Sequence, residues 1–120
     1  MNVNGYNIKP YAKLRYAELV GADLTGADLT GADLRDAFLF GANLTDATLI
    51  GANLTKAELV NANLTSANLW SAILTEANLT VANLTKANLN SATLSGATVS
   101  GAILDDAIFD GAIMPNGDVF

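Results

Sequence analysis

The chain has 120 residues, one domain by length, and six basic against twelve acidic side chains give it a net charge of −6. That balance disfavours direct nucleic-acid binding, which needs clustered Lys and Arg. With no cysteine and no histidine, the sequence has no disulfide, no thiolate and no sulfur-ligated metal, and it lacks the commonest metal ligand and proton carrier.

The opening MNVNGYNIKPY has no charged stretch followed by an apolar one, so it does not read as a secretory signal, and the expected compartment is the cytoplasm. No stretch approaches the roughly 20 apolar residues of a membrane span. Residues 1–11 are expected to form an N-terminal cap, with Tyr6, Ile8 and Tyr11 covering the start of a repeat array.

From Ala12 to Ala112, alanine recurs every fifth residue without a miss. Two places after each alanine stands a large apolar residue: Leu14, Leu19 and so on to Leu94, then Val99, Leu104, Phe109 and Met114. The result is 21 consecutive pentapeptides over residues 12–116. A spacing of five turns by about 500° on an α-helix, so the apolar pair would drift around the cylinder. A continuous strand fails too, because five is odd and each successive pair would change face. The chain must therefore bend once per repeat. The bend falls on the two positions after the central residue, the second of which is often glycine (Gly21, Gly26, Gly31, Gly41) and can supply φ > 0. The position just after the central residue is bulky and apolar at Val20, Phe40, Ile50, Val60 and Trp70, always on alternate repeats. That alternation favours a coil with an even number of sides.

The runs GADLTGADLTGADLR, GANLT, NANLTSANLW and VANLTKANLN resemble the A(D/N)LXX pattern of the pentapeptide repeat family. The resemblance implies an all-β fold, a right-handed quadrilateral β-helix with four pentapeptides per coil and about five coils, roughly 25 Å long at about 4.8 Å per rung. Sorting residues by position modulo 20 then gives four walls. The first wall carries Leu14, the second Leu19, the third Leu24 and the fourth Leu29. Their net charges are +1, −2, −3 and −2. Thr25, Thr45, Thr65 and Thr85, ended by Asp105, form one outer column; Asn43, Asn63 and Asn83, begun by Asp23, form another. Hydroxyl and amide ladders are expected along them. Asp36, Lys56 and Glu76 alternate in sign up one corner. After Met114, Pro115-Asn116-Gly117 signals a turn, and residues 117–120 are expected to fold Val119 and Phe120 back as a C-terminal cap.

Chemistry has little foothold. There is no nucleophile–base pair and no Gly-rich phosphate loop between strand and helix, so the chain does not read as an enzyme, and no cofactor or metal is expected. Asp105, Asp106 and Asp110 match no calcium-loop spacing. Asp23, Asp28 and Asp33 fall on three different walls. The Asn-Leu-Thr sequons are by-products of the repeat.

The possible interaction patch is the set of outward apolar residues: Val20, Phe38, Phe40 and Val60 on the second wall, Ile50 and Trp70 on the fourth. The expected function is a non-catalytic structural or protein-interaction module, with an unknown protein partner, no membrane contact, and a monomeric or weakly homo-oligomeric state. The chain resembles the small stand-alone family members that are numerous in cyanobacteria. The alternative implied by the resemblance is an acidic DNA mimic that binds a nucleic-acid-binding protein such as DNA gyrase. Uninterrupted repeats, no helical tail and a basic first wall separate this chain from members of that type.

Overall fold

A computed structural model describes all 120 residues. Each pentapeptide forms one side of a square coil. The residue before each central one lies in a parallel bridge to the residue twenty further on: Lys13 to Asp33, Glu18 to Phe38, Asp23 to Asn43 and Asp28 to Thr48. Twenty residues are four pentapeptides, so the coil has the four walls expected. Because the chain turns every five residues, the coils meet through single bridge residues and never through runs.

Three backbone hydrogen bonds join each wall to the next coil. On the first wall, Leu34 N–H donates to Asn53 O at 2.8 Å, Asp36 N–H to Thr55 O at 3.0 Å, and Asn53 N–H to Ala32 O at 2.9 Å. A fourth closes the corner: Ala37 N–H donates to Leu34 O at 3.1 Å. With φ positive only at the second corner residue, the corner is a type II turn. Glycine suits that position, and Gly21 adopts φ 65° there, yet Asp36 (58°), Lys56 (59°) and Val81 (52°) do the same. The ladder bonds and buried core hold these residues in the left-handed region against its cost of about 1–2 kcal/mol. Val81 is the poorest fit, being β-branched. Val81→Asn is expected to stabilise the protein by about 0.5–1 kcal/mol, read as a higher thermal midpoint.

Inside, alanine and leucine alternate in two buried stacks from Ala12 to Ala97, and no polar side chain is buried. The narrow tube leaves room for one large side chain per wall, so its neighbour two residues earlier must be small. Each buried leucine contributes roughly 1.5–3 kcal/mol of transfer free energy.

The ends differ. At the N-terminus, β1 (Asn2–Val3) and β2 (Tyr6–Asn7) pair antiparallel. Asn4 and Gly5 join them, both at positive φ (52° and 85°), which makes a type I′ hairpin. Ile8 is buried beneath the first coil, and the Tyr6 hydroxyl accepts the Glu18 N–H at 3.0 Å. Tyr11 departs from expectation. It stands at a corner position, five before Tyr16, so its ring points outward and lies over Gly31. At the other end, Ile113 pairs antiparallel with Val119, and the Phe120 ring packs 5.4 Å from Phe109. This fold-back covers one side of the last coil and leaves Leu104 36% exposed. The molecule measures 38 × 24 × 21 Å; the coils account for about 25 Å of the long axis, and the terminal segments with their side chains for the rest.

Candidate functional site

The outer columns are bonded differently from the amide and hydroxyl ladders expected. Asn43 Oδ1 accepts from the Thr45 backbone N–H at 3.0 Å and from the Thr45 hydroxyl at 2.6 Å. Asn53, Asn63, Asn78 and Asn83 do the same with the threonine two residues on, as do Asp23 and Asp28. The amides stack, but their bonds stay within the repeat. The physical reason is local: the first corner residue has no ladder partner for its N–H, and an Asx side chain two places earlier supplies one. A single side-chain bond crosses coils, from Asp110 N–H to Asn90 Oδ1 at 2.8 Å. At the charged corner, Lys56 reaches Glu76 at 3.9 Å, whereas Asp36 faces Arg15 at 3.8 Å.

These bonds set the acid behaviour. The hydroxyls of Thr25 and Thr30, and then their backbone N–H groups, hold the Asp23 and Asp28 carboxyls below their ordinary 3.8. Arg35, which donates from Nε at 2.8 Å and Nη2 at 2.6 Å, does the same to Asp33. A carboxyl depressed in the folded state stabilises it fully above the unfolded value, and that stabilisation is lost as pH falls through the lower folded value. Asn at these positions keeps the acceptor and does not titrate. Asp23→Asn/Asp28→Asn is therefore expected to flatten the loss of stability below pH 3.8 and leave neutral stability little changed, as urea midpoints at pH 7 and about pH 3 would record.

The second wall carries the largest group of exposed apolar side chains among the four walls. Val20 is 59% exposed, and Phe38 and Phe40 are 38% exposed, with Val60 half-buried above them. Glu18, Val20 and Phe38 line an open groove of about 310 Å³. Gly21 and Gly41 form the adjoining corner, and nothing stands within 4 Å of where their side chains would be. The patch is therefore approachable from that side. Trp70, 49% exposed, and half-buried Ile50 lie on the fourth wall. The six residues singled out in the sequence thus form two separate surfaces, four residues on one and two on the other. Ile73, Ile103 and Ile108 are also exposed. They occupy the position before the central residue, as Phe38 does, whereas the apolar alternation that stands out in the sequence lies at the position after it. Glu18 escapes notice for the same reason; sorting the preceding position modulo 20 places Glu18, Phe38 and Glu58 in one line. No group of three or more acidic residues converges on a metal-sized site, and no helix is long and apolar enough to cross a membrane.

Pentapeptide repeats, in eight copies, match residues 11–46, 42–80 and 82–118. The chain belongs to the pentapeptide repeat family. It shares the right-handed quadrilateral β-helix of that family. The pentapeptide repeat protein Rfr23 from the cyanobacterium Cyanothece 51142 is 36% identical, with a TM-score of 0.73, over 78% of this chain and 63% of that one. HetL from the cyanobacterium Nostoc, a pentapeptide repeat protein involved in heterocyst differentiation regulation, is 35% identical over 92% of this chain and 61% of its own, with a TM-score of 0.55. A pentapeptide repeat protein of the Arabidopsis thaliana thylakoid lumen is 35% identical over 79% and 63%, with a TM-score of 0.63. The chain thus spans less than two thirds of the length of these solved relatives. No curated protein sequence matches it. Within the family's A(D/N)LXX repeat, the alanine and leucine make the tube, and the Asp or Asn holds the corner through its bond to the following threonine.

Proposed function

We propose that this pentapeptide repeat protein is a non-catalytic interaction module that docks a protein partner on its second wall. The observation that carries this reading is the cluster of Val20, Phe38 and Phe40, exposed together beside a bare glycine corner. Exposed apolar patches on small soluble folds mark contacts, and the Ala- and Leu-filled interior leaves catalysis no enclosed site. The involvement of HetL in regulating differentiation is in keeping with a role exercised through partners.

The acidic-mimic reading gains no specific support. Arg15, Arg35 and Lys56 lie on the first wall and interrupt any acidic surface running around the rod.

Site-specific photo-crosslinking in the native host tests the proposal. A photoreactive residue at position 40 is expected to capture a partner, and one at position 43, on the third wall, is not. Capture from neither position, or the same adduct from both, would count against docking through the second wall.

A further inference from the structure

Glu18, Phe38 and Glu58 are bridged in register, one per coil, in a single column on the second wall. Beside it runs a second column of Val20, Phe40 and Val60. The acidic residues of the neighbouring first wall have basic partners: Asp33 with Arg35, Asp36 with Arg15, and Glu76 with Lys56. Glu18 and Glu58 have none; the bond at Glu18 uses its backbone N–H. Two unpaired carboxylates therefore bracket an exposed phenylalanine, with an apolar column alongside.

We infer that the second wall receives an amphipathic helix laid along the rod axis, with basic residues at i and i+7 and apolar residues at i+3 and i+4. This inference rests on the proposed docking face and names its partner's chemistry. The spacing supplies the first argument. Glu18 and Glu58 are two rungs apart, about 9.6 Å, and residues seven apart on one helix face are separated by about 10.5 Å. One helical turn of about 5.4 Å thus advances nearly one rung, and the apolar pair midway falls over Phe38 and into the groove it forms with Val20. Same-face residues of an extended strand recur every 6.6 Å or so and lose that match. The backbone supplies the second argument. Leu19, Phe38, Leu39 and Glu58 all spend their N–H groups on neighbouring coils, so this wall has no free edge to pair a strand. A helix brings its own hydrogen bonds satisfied and meets the wall through side chains alone. Charge supplies the third: the second wall carries two acidic residues and no basic one.

The test is a fluorescence-anisotropy titration with a labelled helical peptide carrying two lysines seven positions apart and two leucines midway. Saturable binding to the wild type is expected. Phe38→Ser and Glu18→Lys/Glu58→Lys are each expected to weaken it at least about tenfold. Asp105→Lys/Asp110→Lys, which changes the net charge equally at the far end, is expected to weaken it less than about twofold. Unchanged thermal midpoints show that the variants are folded. No saturable binding, insensitivity to Phe38→Ser, or an equal loss in both charge-reversed variants overturns the inference. The crosslink from position 40 separates it from the docking proposal. An adduct that persists in Glu18→Lys/Glu58→Lys overturns the basic helix and keeps the docking face. An adduct lost in that variant supports both.

Discussion

Leu59→Ala is expected to lower the free energy of unfolding by about 3–4 kcal/mol. Leu59 is fully buried in the third coil, with Leu39 below and Leu79 above in the same stack. Its ceiling and floor are leucines held by ladder bonds, so the wall cannot collapse to fill the space, and the cavity term adds to the lost transfer term. Single domains have only about 5–15 kcal/mol of stability in total, and a solenoid distributes it between neighbouring repeats. A weak central coil therefore uncouples the two halves. Leu104→Ala is the matched control, because that side chain is already 36% exposed; its cost should be only about 1–2 kcal/mol. Urea titration of the two variants beside the wild type checks both values and shows whether the Leu59 variant still unfolds in one transition.

Deleting Lys56 alone is expected to abolish cooperative folding of everything after it, while deleting residues 62–66 leaves a folded rod. Removing one residue moves Glu58 into the inward alanine position and Leu59 outward, and every later repeat inherits the shift. A buried, unpaired carboxylate and a file of buried asparagines cost far more than the domain's stability of about 5–15 kcal/mol. Removing five residues keeps alanine and leucine inward throughout and only rotates the later repeats by one wall. Trp70 then takes the place of Thr65 on the third wall. Thermal unfolding followed by circular dichroism separates the outcomes: a transition of clearly reduced amplitude for the single deletion, one near the wild type for the five-residue one. The core thus has a period of five and the outer surface a period of twenty.

That difference in period explains which features are legible in the sequence. The inward positions are constrained at every repeat, so Ala12 to Ala112 and their leucines announce the tube, and Val20, Phe40, Ile50, Val60 and Trp70 point to an even number of sides. The outward positions are constrained only locally. Whether Asn43 bonds upward to Asn63 or forward to Thr45 depends on which partner the corner leaves wanting, and residue identity is the same in both cases. The left-handed corner is readable at Gly21 but hidden at Lys56 and Val81, where the ladder imposes a conformation that the residue would not choose. Tyr11 reads as a cap residue because it is aromatic; its corner register, one step before Tyr16, decides otherwise. At the candidate site, Phe38 is visible as an exception, whereas Glu18 and Glu58 pass as ordinary surface acids unless the position before the central residue is followed from coil to coil, as the bridges do.

The three ladder bonds of each wall do not point the same way. Two donate toward the C-terminal end, as from Leu34 and Asp36, and one toward the N-terminal end, as from Asn53. One peptide dipole per repeat is left uncancelled, and these add along the rod as they do along an α-helix, but with the positive pole at the C-terminal end. Asp105, Asp106, Asp110 and Asp118 gather at that pole, whereas at the other Lys9, Lys13 and Arg15 are balanced by Glu18, Asp23 and Asp28. The C-terminal aspartates thus sit where the backbone field favours them, which gives them an electrostatic reason for their place without any bound ion. Along the axis the C-terminal carboxylates and the backbone dipole therefore oppose one another, and each offsets the other's field at that end of the rod.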